Sequence, residues 1–234
     1  MKQICKLVVM LLLAFTAGVQ AQLVTYPESL NPGMPHNDDY TVRVRIPGGE
    51  WKDLFEYNVQ VDMDNVQNAS MVQFDMGSAV EVMVKKNNGS VREVTIRPLS
   101  KGIEYKQIQN AILFTLEKPQ YLSIEFDGDR LHNLHLFANP LETEKYDKET
   151  KGIMYFGPGV HRPKDLPNNQ IRIPGNTTVY LAPGAVVKAK LLVDKAENVR
   201  IIGRGILDHP IRGIEVTDSK NVLIDGITVV NPDH

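Results

Sequence analysis

The sequence predicts an all-β protein in two parts: an N-terminal β-sandwich, then the first coils of a parallel β-helix. Between Tyr40 and Asn139, eight or so short runs alternate apolar and polar residues, with turn signals every 8 to 14 positions. That is the pattern of a sandwich. Between Asn176 and His234 the chain repeats itself. Leu191, Val193, Asn198, Val199, Ile201 and Gly203 return 23 residues later as Ile214, Val216, Asn221, Val222, Ile224 and Gly226, and Ile206 returns as Val229. A looser copy, Val179-Tyr180-Leu181, lies 20 residues before Val199-Arg200-Ile201. Apolar residues within a copy alternate at strand spacing, Gly and Asn stand at the corners, and no helical stretch intervenes. A fixed period of this kind marks a solenoid.

Of 234 residues, 42% are hydrophobic and 23% charged, and the formal charge is −2. That composition is globular and offers no basic footprint for nucleic acid. Residues 1–21 read as an export signal. Lys2 and Lys6 form a basic start, Leu7 to Phe15 is apolar, and Val19-Gln20-Ala21 suits a signal peptidase. The apolar run is too short to span a membrane. The mature chain is expected to start at Gln22 and to be periplasmic or secreted. It then loses Cys5, the only cysteine, leaving 24 basic against 28 acidic residues and a formal charge of −4. No disulfide and no thiolate chemistry remain.

Residues 22–145 are assigned to the sandwich. Pro27, Asn31-Pro32-Gly33 and Pro35 make its first stretch irregular. Tyr40 to Ile46 alternates cleanly, and runs follow at Leu54–Val61, Met71–Asp75, Val80–Val84, Val91–Ile96, Ala111–Leu116, Tyr121–Phe126 and Leu134–Phe137. Pro47-Gly48-Gly49, Asn87-Asn88-Gly89 and Asp127-Gly128-Asp129 read as turns. Leu141 to Glu149 is polar and reads as a linker, and residues 146–234 are assigned to the β-helix, which begins with a strand near Ile153. Only two to three coils fit after Asn176. Solenoids need several repeats and an end cap, so the sequence is expected to be the front part of a longer protein.

Three stretches carry a family likeness: Tyr155-Phe156-Gly157-Pro158-Gly159-Val160-His161, Ile173-Pro174-Gly175-Asn176-Thr177-Thr178-Val179-Tyr180-Leu181-Ala182-Pro183-Gly184-Ala185, and Ile202-Gly203-Arg204-Gly205-Ile206-Leu207-Asp208. They resemble the opening coils of the pectin-lyase-like β-helix superfamily, and within it glycoside hydrolase families 28 and 49, the polygalacturonases and dextranases. The resemblance implies a right-handed helix, an inverting hydrolase and a polysaccharide substrate. Family 49 also places a β-sandwich before its β-helix. The families' catalytic motifs are absent here: the one Asp-Asp pair, Asp38-Asp39, precedes the sandwich. Asn231-Pro232 resembles the turn that precedes the catalytic coils. No catalytic residue is therefore assigned, and the acids are expected beyond His234.

Inverting hydrolysis needs two carboxyl groups about 6.5–9.5 Å apart, one to protonate the leaving oxygen and one to activate water. The acids available on the coils are Asp208, Asp225 and Asp233. Each also suits a corner carboxylate bonded to nearby backbone. Asp208 and Asn231 lie one period apart and should stack on one face, and Asp208, His209 and Asp233 are the substrate-binding candidates. His161 follows a glycine corner and reads as a hydrogen-bonded structural residue. His36, His132, His135 and His209 show no ligand spacing, so no metal and no cofactor are expected. His132 and His135, three apart beside a strand, should point to opposite faces. Asp127-Gly128-Asp129 lacks a calcium loop's spacing, having Ala138 where the bidentate Glu would stand. Asn68, Asn88 and Asn176 open glycosylation sequons, relevant only in a eukaryotic secretory route. The expected partner is a polysaccharide, with no nucleic acid, no membrane span and a monomeric chain. A polysaccharide lyase, which would use a basic residue and usually calcium, and a non-catalytic carbohydrate-binding or adhesin-like protein are the alternatives. Whether the sandwich binds glycan or caps the first coil is open, and capping is the simpler role.

Overall fold

The computed structural model describes residues 22–26, 33–62, 64–163 and 169–232. The expected export signal, residues 1–21, and the two last residues, Asp233 and His234, lie outside the described residues.

The first part contains β1 (Leu23–Thr25), β2 (Tyr40–Arg45), β3 (Lys52–Asp53), β4 (Tyr57–Val61), β5 (Gln67–Met76), β6 (Val80–Lys86), β7 (Val94–Arg97), β8 (Lys106–Ile108), β9 (Ala111–Leu116), β10 (Gln120–Phe126) and β11 (Leu134–Pro140). One sheet runs β1-β5-β11-β10-β7, with β4 also on β5, and the other runs β3-β2-β6-β9-β8. All pairings are antiparallel except β5 with β11. Val42 and Val44, Val82 and Val84 and Ile112 from one sheet meet Val72, Phe74, Ile124 and Leu136 from the other in a closed core. Alternation in the sequence produces this face directly, since a strand sends every second side chain inward.

Three local readings need correction. The first stretch is not wholly irregular, because β1 pairs with the end of β5, Leu23 opposite Met76. The run Leu54–Val61 is broken: β3 ends at Asp53 and β4 starts at Tyr57. Between them Glu56 is buried and its carboxylate accepts the Val42 N–H at 2.7 Å. β8 is exposed at every position, so it has no apolar alternation to betray it.

The second part is the solenoid. Its first coil holds β12 (Ile153–Phe156), β13 (Gly159–His161) and β14 (Gln170–Arg172). The second holds β15 (Thr178–Leu181), β16 (Ala185–Val187) and β17 (Lys190–Asp194). The third holds β18 (Glu197–Gly203), β19 (Ile206–Asp208) and β20 (Ile214–Thr217), and β21 (Lys220–Asp225) and β22 (Thr228–Val230) open a fourth. They stack as three parallel sheets, β12-β15-β18-β21, β13-β16-β19-β22 and β14-β17-β20. Val179, Leu181, Val187, Leu191, Val193, Val199, Ile201 and Leu207 fill the interior. The 23-residue repeat is real: Leu191 pairs with Ile214 and Val199 with Val222. The looser copy is offset by 22 rather than 20 residues, Val179 pairing with Ile201. A two-residue error keeps each side chain on its own face, so the pattern hid it. Val229 pairs with Leu207, not Ile206.

The repeating asparagines form a ladder. Asn176, Asn198 and Asn221 sit at φ of 57°, 58° and 53°. Asn198 donates to Asn176 at 3.0 Å, and Asn221 to Asn198 at 2.7 Å. Asn tolerates this left-handed corner and offers an amide to the coil on either side.

Among the described residues the sandwich packs along the solenoid's flank. Val160, Val186, Ile206 and Val230, from four successive coils, pack with Phe55, Tyr57, Val59 and Met71 on the outer face of the β5 sheet. This explains why β5 is buried on both faces. The segment expected to be a plain linker is also packed: Tyr146 meets the Tyr180 ring edge-on at 5.5 Å, and Glu144 forms two bonds to Arg200.

Candidate functional site at the sandwich–solenoid junction

The sequence candidates lie at the corner after β19. Asp208 is 1% exposed. Its Oδ1 accepts from Asn231 Nδ2 at 2.8 Å and from His209 Nδ1 at 2.7 Å, and its Oδ2 pairs with Lys188 Nζ. His209 and Asn231 both adopt left-handed backbone, φ 52° and 50°. Asn231 also accepts the Gln60 N–H at 2.7 Å, tying the last coil to β4. Asp208 and Asn231 therefore do meet, although the strand register places Val230, not Asn231, opposite Asp208. The Asp208 carboxylate is fully occupied by these donors, while the His209 side chain is 46% exposed and faces solvent. Asp233, the third candidate, lies outside the described residues.

Burial alone would raise the Asp208 pKa, but Lys188, Asn231 and His209 outweigh it and hold the carboxyl below the usual range. A depressed carboxyl adds stability that is full above the unfolded value, about pH 3.9, and is lost as pH falls through the lower folded value. Asp208→Asn is expected to lower resistance to urea at pH 7 by about 2 kcal/mol. That deficit should shrink as pH falls through the depressed folded value, where the native side chain also becomes neutral. A deficit that does not change across the acid range would refute the assignment.

A cleft of about 290 Å3 opens where residues 140–144 meet β18 and β21. Arg204, 4% exposed, sits at its base. Its Nε donates to Asp75 Oδ1 at 2.8 Å, its Nη2 to the Pro140 carbonyl at 2.6 Å and its Nη1 to the Gly203 carbonyl at 3.1 Å. Burial and the Asp75 carboxylate keep the Tyr26 hydroxyl neutral beside this pair. Glu142 accepts from the Tyr180 hydroxyl at 3.1 Å, and burial raises its pKa against the opposing pull of Arg204. Glu144 is held down to about 2 by the Arg200 guanidinium. Asp225 lies exposed on the rim and, among the described residues, has no partner. The cleft thus holds one carboxyl biased toward its protonated form and one open carboxylate. Sequence reasoning missed Arg204 and Glu142 as site residues. Asp75 and Arg204 are 129 positions apart, and no local pattern links them.

The other expectations resolve more simply. His161 donates through Nε2 to the Gly157 carbonyl, 2.7 Å away, as a structural residue would. Asp127 accepts the N–H groups of Arg92 and Glu93, and so closes a turn. His132 meets Asp129 at 2.9 Å, and His135 is held below the usual imidazole range by burial. Among the described residues no group of three His, Cys, Asp or Glu is placed to hold a metal, and no helix is long and apolar enough to cross a membrane.

The fold and the junction define a class: a parallel β-helix with a sandwich laid along its side. No family model and no curated protein matches the sequence. Solved structures do match, among them Dex49A from Penicillium minioluteum, a dextranase. The TM-score is 0.59 at 20% identity, over 79% of this chain and 48% of that one. The likeness is one of fold: all β, with a parallel β-solenoid. This chain spans about half the length of the structure it matches.

Proposed function

We propose that the chain is the front part of an exported, inverting polysaccharide hydrolase resembling the dextranases and polygalacturonases. The observation that carries this is the joint architecture of flanking sandwich and parallel solenoid, aligned with a dextranase over 79% of the chain. The paired acids that hydrolysis demands stand on coils beyond His234. Three carboxylates of the described coils serve the fold instead: Asp208 is enclosed, Asp194 is paired with Arg172 and Thr217, and Glu215 with Lys190. His209, with Asp208 behind it and Asp233 about one coil further on in sequence, contributes a polar contact at the end of the sugar groove. The protein works as a monomer and needs no cofactor.

The test is reducing-end release from dextran and from polygalacturonate. The 234-residue chain is expected to give none, and a longer product of the same gene is expected to cut one of them. Turnover by the short chain alone would overturn the placement of the acids. A product absorbing in the ultraviolet would identify a lyase, and glycan retention without cleavage by either chain would identify a binding protein.

A further inference from the structure

We propose that the outer face of the β3-β2-β6-β9-β8 sheet is a binding surface for a uronate-bearing polysaccharide, separate from the coils. This rests on the reading that the chain handles polysaccharide.

Strands β2, β6 and β9 send Val42, Val44, Val82, Val84, Ile112 and Phe114 into the sandwich core. Their alternate residues therefore point outward. The solvated face of an antiparallel sheet is expected to be polar, yet the middle of this one is apolar. Met83 stands between Arg43 and Leu113, and Ala111 between Lys85 and Ile108. Cross-strand partners lie about 5 Å apart, so Met83, Leu113, Ala111 and Ile108 form one strip. Met83 and Leu113 join none of the apolar clusters among the described residues, and Ile108 is 49% exposed. The sandwich core separates this face from the solenoid, which packs on the other sheet. Its exposure is therefore independent of the number of coils.

The rim of the strip supplies polar chemistry. Arg45 pairs with Glu81, and Arg43 with Asp53. Each guanidinium–carboxylate pair offers donors and acceptors side by side, the set that neighbouring sugar hydroxyls need. The Arg45 guanidinium lies over the half-exposed Trp51 ring, 4.3 Å from its centroid. Lys85 and Lys106 flank the strip and have no carboxylate partner among the described residues. Arg43, Arg45, Lys85 and Lys106 against Asp53 and Glu81 leave the face positive, on a chain whose formal charge is −2. The apolar strip matches the C–H face of a sugar ring, and the free ammonium groups match a ring carboxylate. That complementarity selects a uronate polymer over a neutral glucan. The two outer faces of the sandwich thus divide the work, one seating the solenoid and the other holding the polymer.

Trp51 is the only tryptophan, so its fluorescence reports on this face. The 234-residue chain is titrated with oligogalacturonates and with dextran oligosaccharides, at low and at high salt. Oligogalacturonates should change the emission saturably, less so at high salt, and dextran oligosaccharides should not. Lys85→Ala combined with Lys106→Ala should weaken binding about tenfold. Lys145→Ala combined with Lys151→Ala, exposed positions ahead of the solenoid, should leave it unchanged. No response to oligogalacturonates rejects the surface, as does affinity undiminished in the Lys85 and Lys106 variant. Equal binding of dextran rejects the uronate assignment. A concentration-dependent dimer that buries Trp51 gives the face to a second copy instead. Hydrolysis is scored separately. A longer product of the gene that cuts glycan while this face binds none keeps the hydrolase and discards the surface, and binding here without cleavage of any glycan does the reverse.

Discussion

Arg204→Ala is expected to cost about 3–5 kcal/mol, the usual effect of removing one partner of a buried ion pair. Asp75 is 2% exposed, and its carboxylate loses the guanidinium that compensates its burial. The carbonyls of Pro140 and Gly203 lose donors as well. For a domain of this size each kcal/mol moves the melting point by about 2–4 °C, so a fall of about 10 °C is expected in calorimetry. Because Arg204 joins a solenoid corner to β5, the single transition should also broaden or split. Arg204→Lys should recover little, since an ammonium lacks the planar fork that reaches all three acceptors. Arg204→Met combined with Asp75→Asn should recover more than half, because no unpaired charge remains buried. A melting point within about 2 °C of the parent for Arg204→Ala would show that the pair is not what clamps the two parts.

Gly203→Ala is expected to be nearly as damaging, for a steric reason. Gly203 has φ of +126°, and a Cβ there would lie 2.0 Å from the Leu181 carbonyl oxygen. That oxygen accepts the N–H groups of Arg204 and Gly205 at 2.9 and 3.0 Å. Backbone strain contributes about 1–3 kcal/mol, and displacing the carbonyl breaks the corner that aims Arg204 at Asp75. A total of about 3–5 kcal/mol by urea titration follows from adding overpacking to that strain. Gly89→Ala is the control. Its φ is +74°, but nothing lies within 4 Å of the added methyl, so only the backbone term of about 1 kcal/mol applies. Similar losses at the two positions would rule out the carbonyl contact as the cause.

The sequence by itself determined the strands, their faces and the coil repeat, because each is set within a few residues or at a fixed spacing. Val42 and Val44 alternate because a strand must, and Asn198 and Asn221 recur because each corner needs a left-handed residue with an amide. Glycine at 203 and 226 belongs to the same class, since both have positive φ. A strand such as β8, exposed throughout, carried no such signal. Register was legible only to within a residue or two, because an even slip leaves the inward face unchanged, as Val179 against Ile201 shows. What only the tertiary structure decided was where the sandwich sits and which charges meet. Those contacts join Asp75 to Arg204 and Gln60 to Asn231, across 129 and 171 positions. Such pairings depend on how two finished surfaces fit, and no local propensity or period encodes that fit. The same reason made Asp208 look available in the sequence: a carboxylate's donors arrive from neighbouring coils, and only the stacked coils show that Lys188, His209 and Asn231 already hold it.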